Sequence, residues 1–100
     1  MASVKELKKD IDMLMTLVLT DCFSVLEYNR KVDGETVMKI AADVVRIHRE
    51  LRLRVKHPDG KDNPKLVRKY YSSLVNDALK EADNALERLS VEVKKVATEK

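Results

Sequence analysis

Between Arg46 and Lys69 the chain sets nine lysines and arginines against three acids, Glu50, Asp59 and Asp62. That is a local charge of +6 in a protein whose net charge is +3, so the remainder carries −3. Arg46, Arg49, Arg52 and Lys56 recur at helical spacing and form a ridge beside an apolar stripe, with Arg54 on the other flank. Across a loop come Lys61, Lys65, Arg68 and Lys69, then Tyr70 and Tyr71. Arginine's planar fork suits phosphate, and an exposed ring such as Tyr70 offers a face for a base. Cations closing one helix need no ligand, because they complement its dipole. Lys65, Arg68 and Lys69 open the next helix, where acids are favoured, and this points to an anionic partner. The competing reading is a solvated charged face whose long stems cover the edge of the core.

Inside this stretch, Arg52-Leu53-Arg54-Val55-Lys56-His57 has the spacing Arg-x4-His and stands before a long final helix. It resembles the motif of HEPN-type helical RNA-cleaving domains. The resemblance implies that Arg52 and His57 bind phosphate and assist acid–base cleavage across a dimer. The likeness spans six residues, and Leu53 stands where that family usually has a polar residue. A three-helix chain of this size is also similar to helical chorismate mutases. Those enzymes use an arginine early in the first helix, and the first arginine here is Arg30, which excludes that reading.

Other chemistry-bearing residues have plainer explanations. His48 falls on an apolar face, where a hydrogen-bonded boundary position is the ordinary role. His57 suits a helix C-terminus. Cys22 lies in a core stripe and behaves as a small hydrophobe, with no base placed to make it a nucleophile. Asp59, Asp62 and Asn63 lack the alternation of a calcium loop. No glycine-rich phosphate loop, zinc-finger spacing or helix-turn-helix signature is present. The sequence therefore predicts no metal site and no cofactor.

The elements that position these residues are all helical. The chain has 100 residues, 37% of them charged, with two glycines, two prolines and no tryptophan. That composition fits one small all-α domain over residues 1–100. The expected helices cover about 4–31, 35–56 and 64–97, the last the longest. Ser3 and Glu6 have capping-box spacing. Asp33-Gly34 divides the first two helices, Asp33 as a cap and Gly34 with freedom for a positive φ. Pro58-Asp59-Gly60 is turn chemistry, and Asn63-Pro64 reads as an N-cap followed by proline in the first helical position.

Apolar stripes run through Val4, Leu7, Ile11, Leu14, Val18, Cys22 and Val25, and through Val37, Ile40, Ala41, Val44, His48, Leu51 and Val55. The last helix carries Val67, Tyr71, Leu74, Val75, Ala78, Ala82, Ala85, Leu89, Val93 and Val96. Short connections make neighbouring helices antiparallel, so the fold expected is an up-down-up three-helix bundle. The end of the third helix outreaches the second and should fray or find a partner.

From Met13 to Leu26 the only charge is Asp21, which demands burial nearly all round. Fourteen residues are too few to span a bilayer, which takes roughly 20 apolar residues. With one cysteine and no apolar leader, a cytoplasmic setting without membrane association is expected. At 100° per residue, Met13, Thr16, Leu17, Thr20 and Ser24, with Phe23 at their border, lie opposite the core stripe. Two arrangements satisfy them: a contact with another copy, or cover by the other helices on both sides. Asp21 needs a buried donor in one arrangement and can set register at an interface margin in the other.

The leading functional reading is a non-catalytic interaction module that forms a homodimer, or docks a protein partner, through Met13, Thr16, Leu17, Thr20, Phe23 and Ser24. The alternative is RNA or other nucleic-acid binding through Arg46, Arg49, Arg52, Arg54, Lys56, His57, Lys61, Lys65, Arg68, Lys69 and Tyr70, with ribonuclease the one enzymatic reading.

Overall fold

The computed structural model describes residues 4–57 and 63–98. Ser3, the Pro58-Asp59-Gly60 turn and Lys61 lie outside the described residues. Three helices account for the regular structure: α1 (Val4–Tyr28), α2 (Gly34–Lys56) and α3 (Pro64–Thr98). They pack as the antiparallel three-helix bundle expected, a rod of 59 × 20 × 18 Å. Its long axis follows the 35 residues of α3, roughly 50 Å at 1.5 Å per residue.

Local chemistry starts α2 and α3. The Asp33 carboxylate accepts from the Glu35 amide (3.2 Å) and from the Thr36 hydroxyl (2.7 Å), fixing the start of α2. Asn63 does the same for α3, taking the amides of Lys65 (3.0 Å) and Leu66 (3.4 Å), with Pro64 in the first turn. Gly34 does not use the freedom expected of it: its φ is outside the left-handed region, and a Cβ there would meet Leu26 Cδ2 at 3.6 Å.

α1 ends at Tyr28, three residues before the expected end. The cause is Val32, which is buried. To bring it inward the chain leaves the helix early, closing with bonds from the Asn29 amide to the Val25 carbonyl (2.9 Å) and from the Val32 amide to the Asn29 carbonyl (3.3 Å). α3, by contrast, stays helical to Thr98. Its far end is held by Leu89 and by Val96, which pack on the core. Glu92 is buried there with its carboxylate 3.0 Å from Lys95 Nζ.

The core follows the predicted stripes closely. It holds Leu7, Ile11, Met15, Val18 and Cys22 from α1, and Val37, Ile40, Ala41, Val44, Leu51 and Val55 from α2. α3 adds Leu74, Ala78, Ala82, Ala85 and Leu89. The small alanines on α3 permit close approach to its neighbours. Two predicted stripe members depart, Val4 and Val75, and the leucines flanking the α3 stripe are exposed with them. Val4 is exposed at the first residue of α1, and Val75, Leu79 and Leu86 are exposed on α3. Val75 and Leu79 border α1, where they line a shallow apolar groove of about 250 Å³ with Leu7, Ile11 and Leu14.

Candidate interaction surfaces

The run from Met13 to Leu26 is not buried all round within one chain. Met13 is 56% exposed, Leu17 59% and Phe23 51%, and Thr16 and Thr20 are exposed beside them. Ser24 is half-buried at the edge. Neither α2 nor α3 covers this face, which overturns the arrangement in which the two helices enclose α1 on both sides. Asp21 is exposed as well, so it has no need of a buried donor.

The threonines on this face have turned their polarity inward. The Thr16 hydroxyl donates to the Asp12 carbonyl (2.7 Å) and the Thr20 hydroxyl to the Thr16 carbonyl (2.8 Å). Hydroxyls satisfied within the helix can leave water without losing a partner. The face is therefore drier in character than its residue names suggest.

On the inner side of α1, Cys22 is fully buried. Burial, and secondarily the charge of Asp21, push its thiol pKa upward. That is the opposite of what a nucleophile requires.

The basic stretch is divided by the fold. Arg54 pairs with Asp77 at 2.9 Å, and its guanidinium lies 5.8 Å from the centre of the Tyr70 ring. The Tyr70 face expected to stack a base is thus engaged by an arginine, with the Tyr71 ring edge-on at 5.9 Å. Tyr71 also donates its hydroxyl to the Val55 carbonyl (3.1 Å), which locks the start of α3 to the end of α2. Arg46 does not join the predicted ridge. It bonds Glu50 at 3.1 Å and reaches Asp43 at 3.9 Å, and it lines a groove between α2 and α3 together with Arg54. Asp43 also takes Arg88 of α3 at 2.8 Å.

The rest of the ridge faces the α1 side. His48, Arg49, Arg52 and Lys56 line an open groove of about 330 Å³ with Val45 and Leu53. Asp12 of α1 organises one wall. Its Oδ1 stands 2.5 Å from His48 Nε2 and 3.6 Å from Arg52 Nε. His48 is thus the hydrogen-bonded boundary residue expected, but its partner, Asp12, was not foreseen. The two lie 36 residues apart, and only the register between α1 and α2 brings them together.

Arg52 is drawn toward α1 by Asp12, whereas His57 is exposed at the end of α2, its amide donating to the Leu53 carbonyl (3.2 Å). Among the described residues, Arg49, Lys56, Lys65, Arg68 and Lys69 have no acidic partner. No group of three His, Cys, Asp or Glu side chains that could hold a metal ion occurs among the described residues. No helix among them is long and apolar enough to cross a membrane. Compared with protein families, curated proteins and solved structures, the chain finds no match.

Proposed function

We propose that this chain is a non-catalytic self-association module whose working surface is the outer face of α1. One observation carries the reading: Met13, Leu17 and Phe23 are each more than half exposed on a stretch with no lysine, arginine or glutamate. A contiguous apolar face on a small protein marks a contact surface more often than a tolerated exposure. A bundle of this size also gains stability by burying such a face in an oligomer. The inward bonds of Thr16 and Thr20 support the same reading, because they lower the cost of drying the face.

Leu17→Glu tests it. The substitution leaves the inner stripe untouched and sets a charge on the outer face beside Met13 and Thr20. The expected result is a helical, cooperatively melting protein by circular dichroism whose mass by light scattering falls from dimer to monomer. A wild-type monomer at high concentration, or a dimer unaffected by the substitution, would discard this reading.

A second reading, anion binding, draws on the unpaired Arg49 and Lys56 in the α2 groove and the unpaired cations that open α3. Fluorescence anisotropy against labelled RNA and DNA at low and near-physiological salt tests it. Contacts to phosphate give binding that weakens steeply with salt and falls on charge reversal of Arg49. No binding at low salt removes the reading, and with it ribonuclease activity.

A further inference from the structure

We propose that two copies of this chain pair antiparallel along α1 in one register, with Met13 against Phe23, Thr16 against Thr20 and Lys9 against Glu27 of the second copy. The pairing rests on the self-association proposed above and adds a direction and a register to it.

Along the outer face, Lys9, Met13, Thr16, Thr20, Phe23 and Glu27 follow one another at alternating steps of four and three residues. That is the seam spacing by which two helices pack knobs into holes. All six are exposed on α1. In type the series reads charge, large, small, small, large, charge. It is therefore symmetric about the level of Val18, and its two end charges are opposite.

A two-fold axis perpendicular to α1 at that level superposes the series on its own reverse. Each large side chain then meets a large one, and the threonines meet across the centre, where their hydroxyls are already bonded within the helix. Each Lys9 meets a Glu27. A parallel pair would give the same sizes at every layer but would set Lys9 on Lys9 and Glu27 on Glu27. Charge alone separates the two directions, and it favours the antiparallel one.

Register follows from the same series. Sliding the second helix by seven residues one way sets Phe23 over Glu6, and the other way sets Met13 over Arg30. Either slip exchanges an apolar contact for a charge against an apolar group.

Two further observations agree. Among the described residues, neither Lys9 nor Glu27 forms an ion pair in its own chain. Leu17, one turn beyond Leu14, lies on the side of the seam where Val75 and Leu79 of α3 are exposed around Leu14. A second α1 laid on the seam would flank Leu17 as well, and the isologous arrangement closes as a dimer.

A charge-exchange cycle tests direction and register. Lys9 and Glu27 are roughly 27 Å apart along one helix, too far to interact within a chain. Lys9→Glu alone, or Glu27→Lys alone, should weaken the dimer about three- to tenfold by sedimentation velocity at low salt. The double variant K9E/E27K should return to within about twofold of wild type. Single variants without effect, or a double variant weaker than both, would overturn the register while self-association stands, provided Leu17→Glu still gives a monomer. A wild-type protein that never dimerises would overturn both.

Discussion

The two faces of α1 are built from nearly the same residues and meet opposite fates. Met15 is 1% exposed and Met13, two positions away, is 56% exposed. Leu7, Ile11, Val18 and Cys22 share the buried side with Met15, and Leu17 and Phe23 share the outer side with Met13. Polarity does not separate the two sets. Their direction does, because each residue turns about 100° from the last and the other two helices reach only one side. An apolar run therefore states how much surface wants to leave water, and the remaining elements decide how much of that can happen within one chain.

Two methionines give the sharpest way to break the comparison. Met15→Ala should destabilise the folded chain by about 3 kcal/mol, the transfer loss plus the cavity left in the core. The same change at Met13 should shift monomer stability by less than about 0.5 kcal/mol. Urea unfolding at low protein concentration measures both. On the proposed self-association, the wild-type midpoint should rise at high concentration and that of Met13→Ala should rise less, the outer methionine being the one placed at the contact. Equal losses for the two variants would mean that Met13 is held inside the folded chain, and the division of α1 into two faces would fail.

A smaller effect belongs to the boundary between the faces. Asp12 stands at the edge of the inner side and holds His48 and Arg52 of α2. His48→Ala should cost about 1 kcal/mol, the net value of one intramolecular hydrogen bond. Arg52 remains to accompany the carboxylate, so Asp12 is not stranded. Arg52→Ala should cost less than His48→Ala, because its contact is longer and its side chain is half exposed. The reverse order, measured by the same unfolding, would move the clasp from His48 to Arg52.

How far these features are legible in the sequence depends on whether their cause is local. Asp33 and Asn63-Pro64 announce the helix starts because a cap acts on amides two and three residues ahead. The buried positions of α2 follow from spacing alone, since its stripe is narrow and flanked by charges. The end of α1 is not legible in the sequence, because the burial of Val32 depends on the packed core and leaves no mark on local periodicity. Val75 and Leu79 adjoin the core stripe but lie on a side that α1 only partly covers. The +6 stretch does not form one patch. Arg46 is paired within α2 by Asp43 and Glu50 at helical spacing, whereas Asp12 and Asp77 neutralise Arg52 and Arg54 from other helices. Ion pairs of that kind exist only once the register between helices is set.

The smallest effect expected lies at the cap that starts α2 and so lays its stripe on the inner face of α1. The Thr36 hydroxyl, the amides of Glu35 and Thr36, and the charge of Lys39 together hold the Asp33 carboxyl below its ordinary pKa. A carboxyl whose folded pKa is lowered adds stability above its unfolded pKa and loses it as pH falls through the folded one. Asp33→Asn keeps an acceptor for the amide and removes the charge. The variant should melt slightly below wild type at neutral pH, and the gap should close as pH falls below the carboxylate range. Thermal melts of both proteins across that range decide it. A gap independent of pH would assign the cap's value to geometry alone, with nothing contributed by the charge. A gap that widens in acid would reverse the sign and remove Asp33 from the acid sensitivity of the bundle.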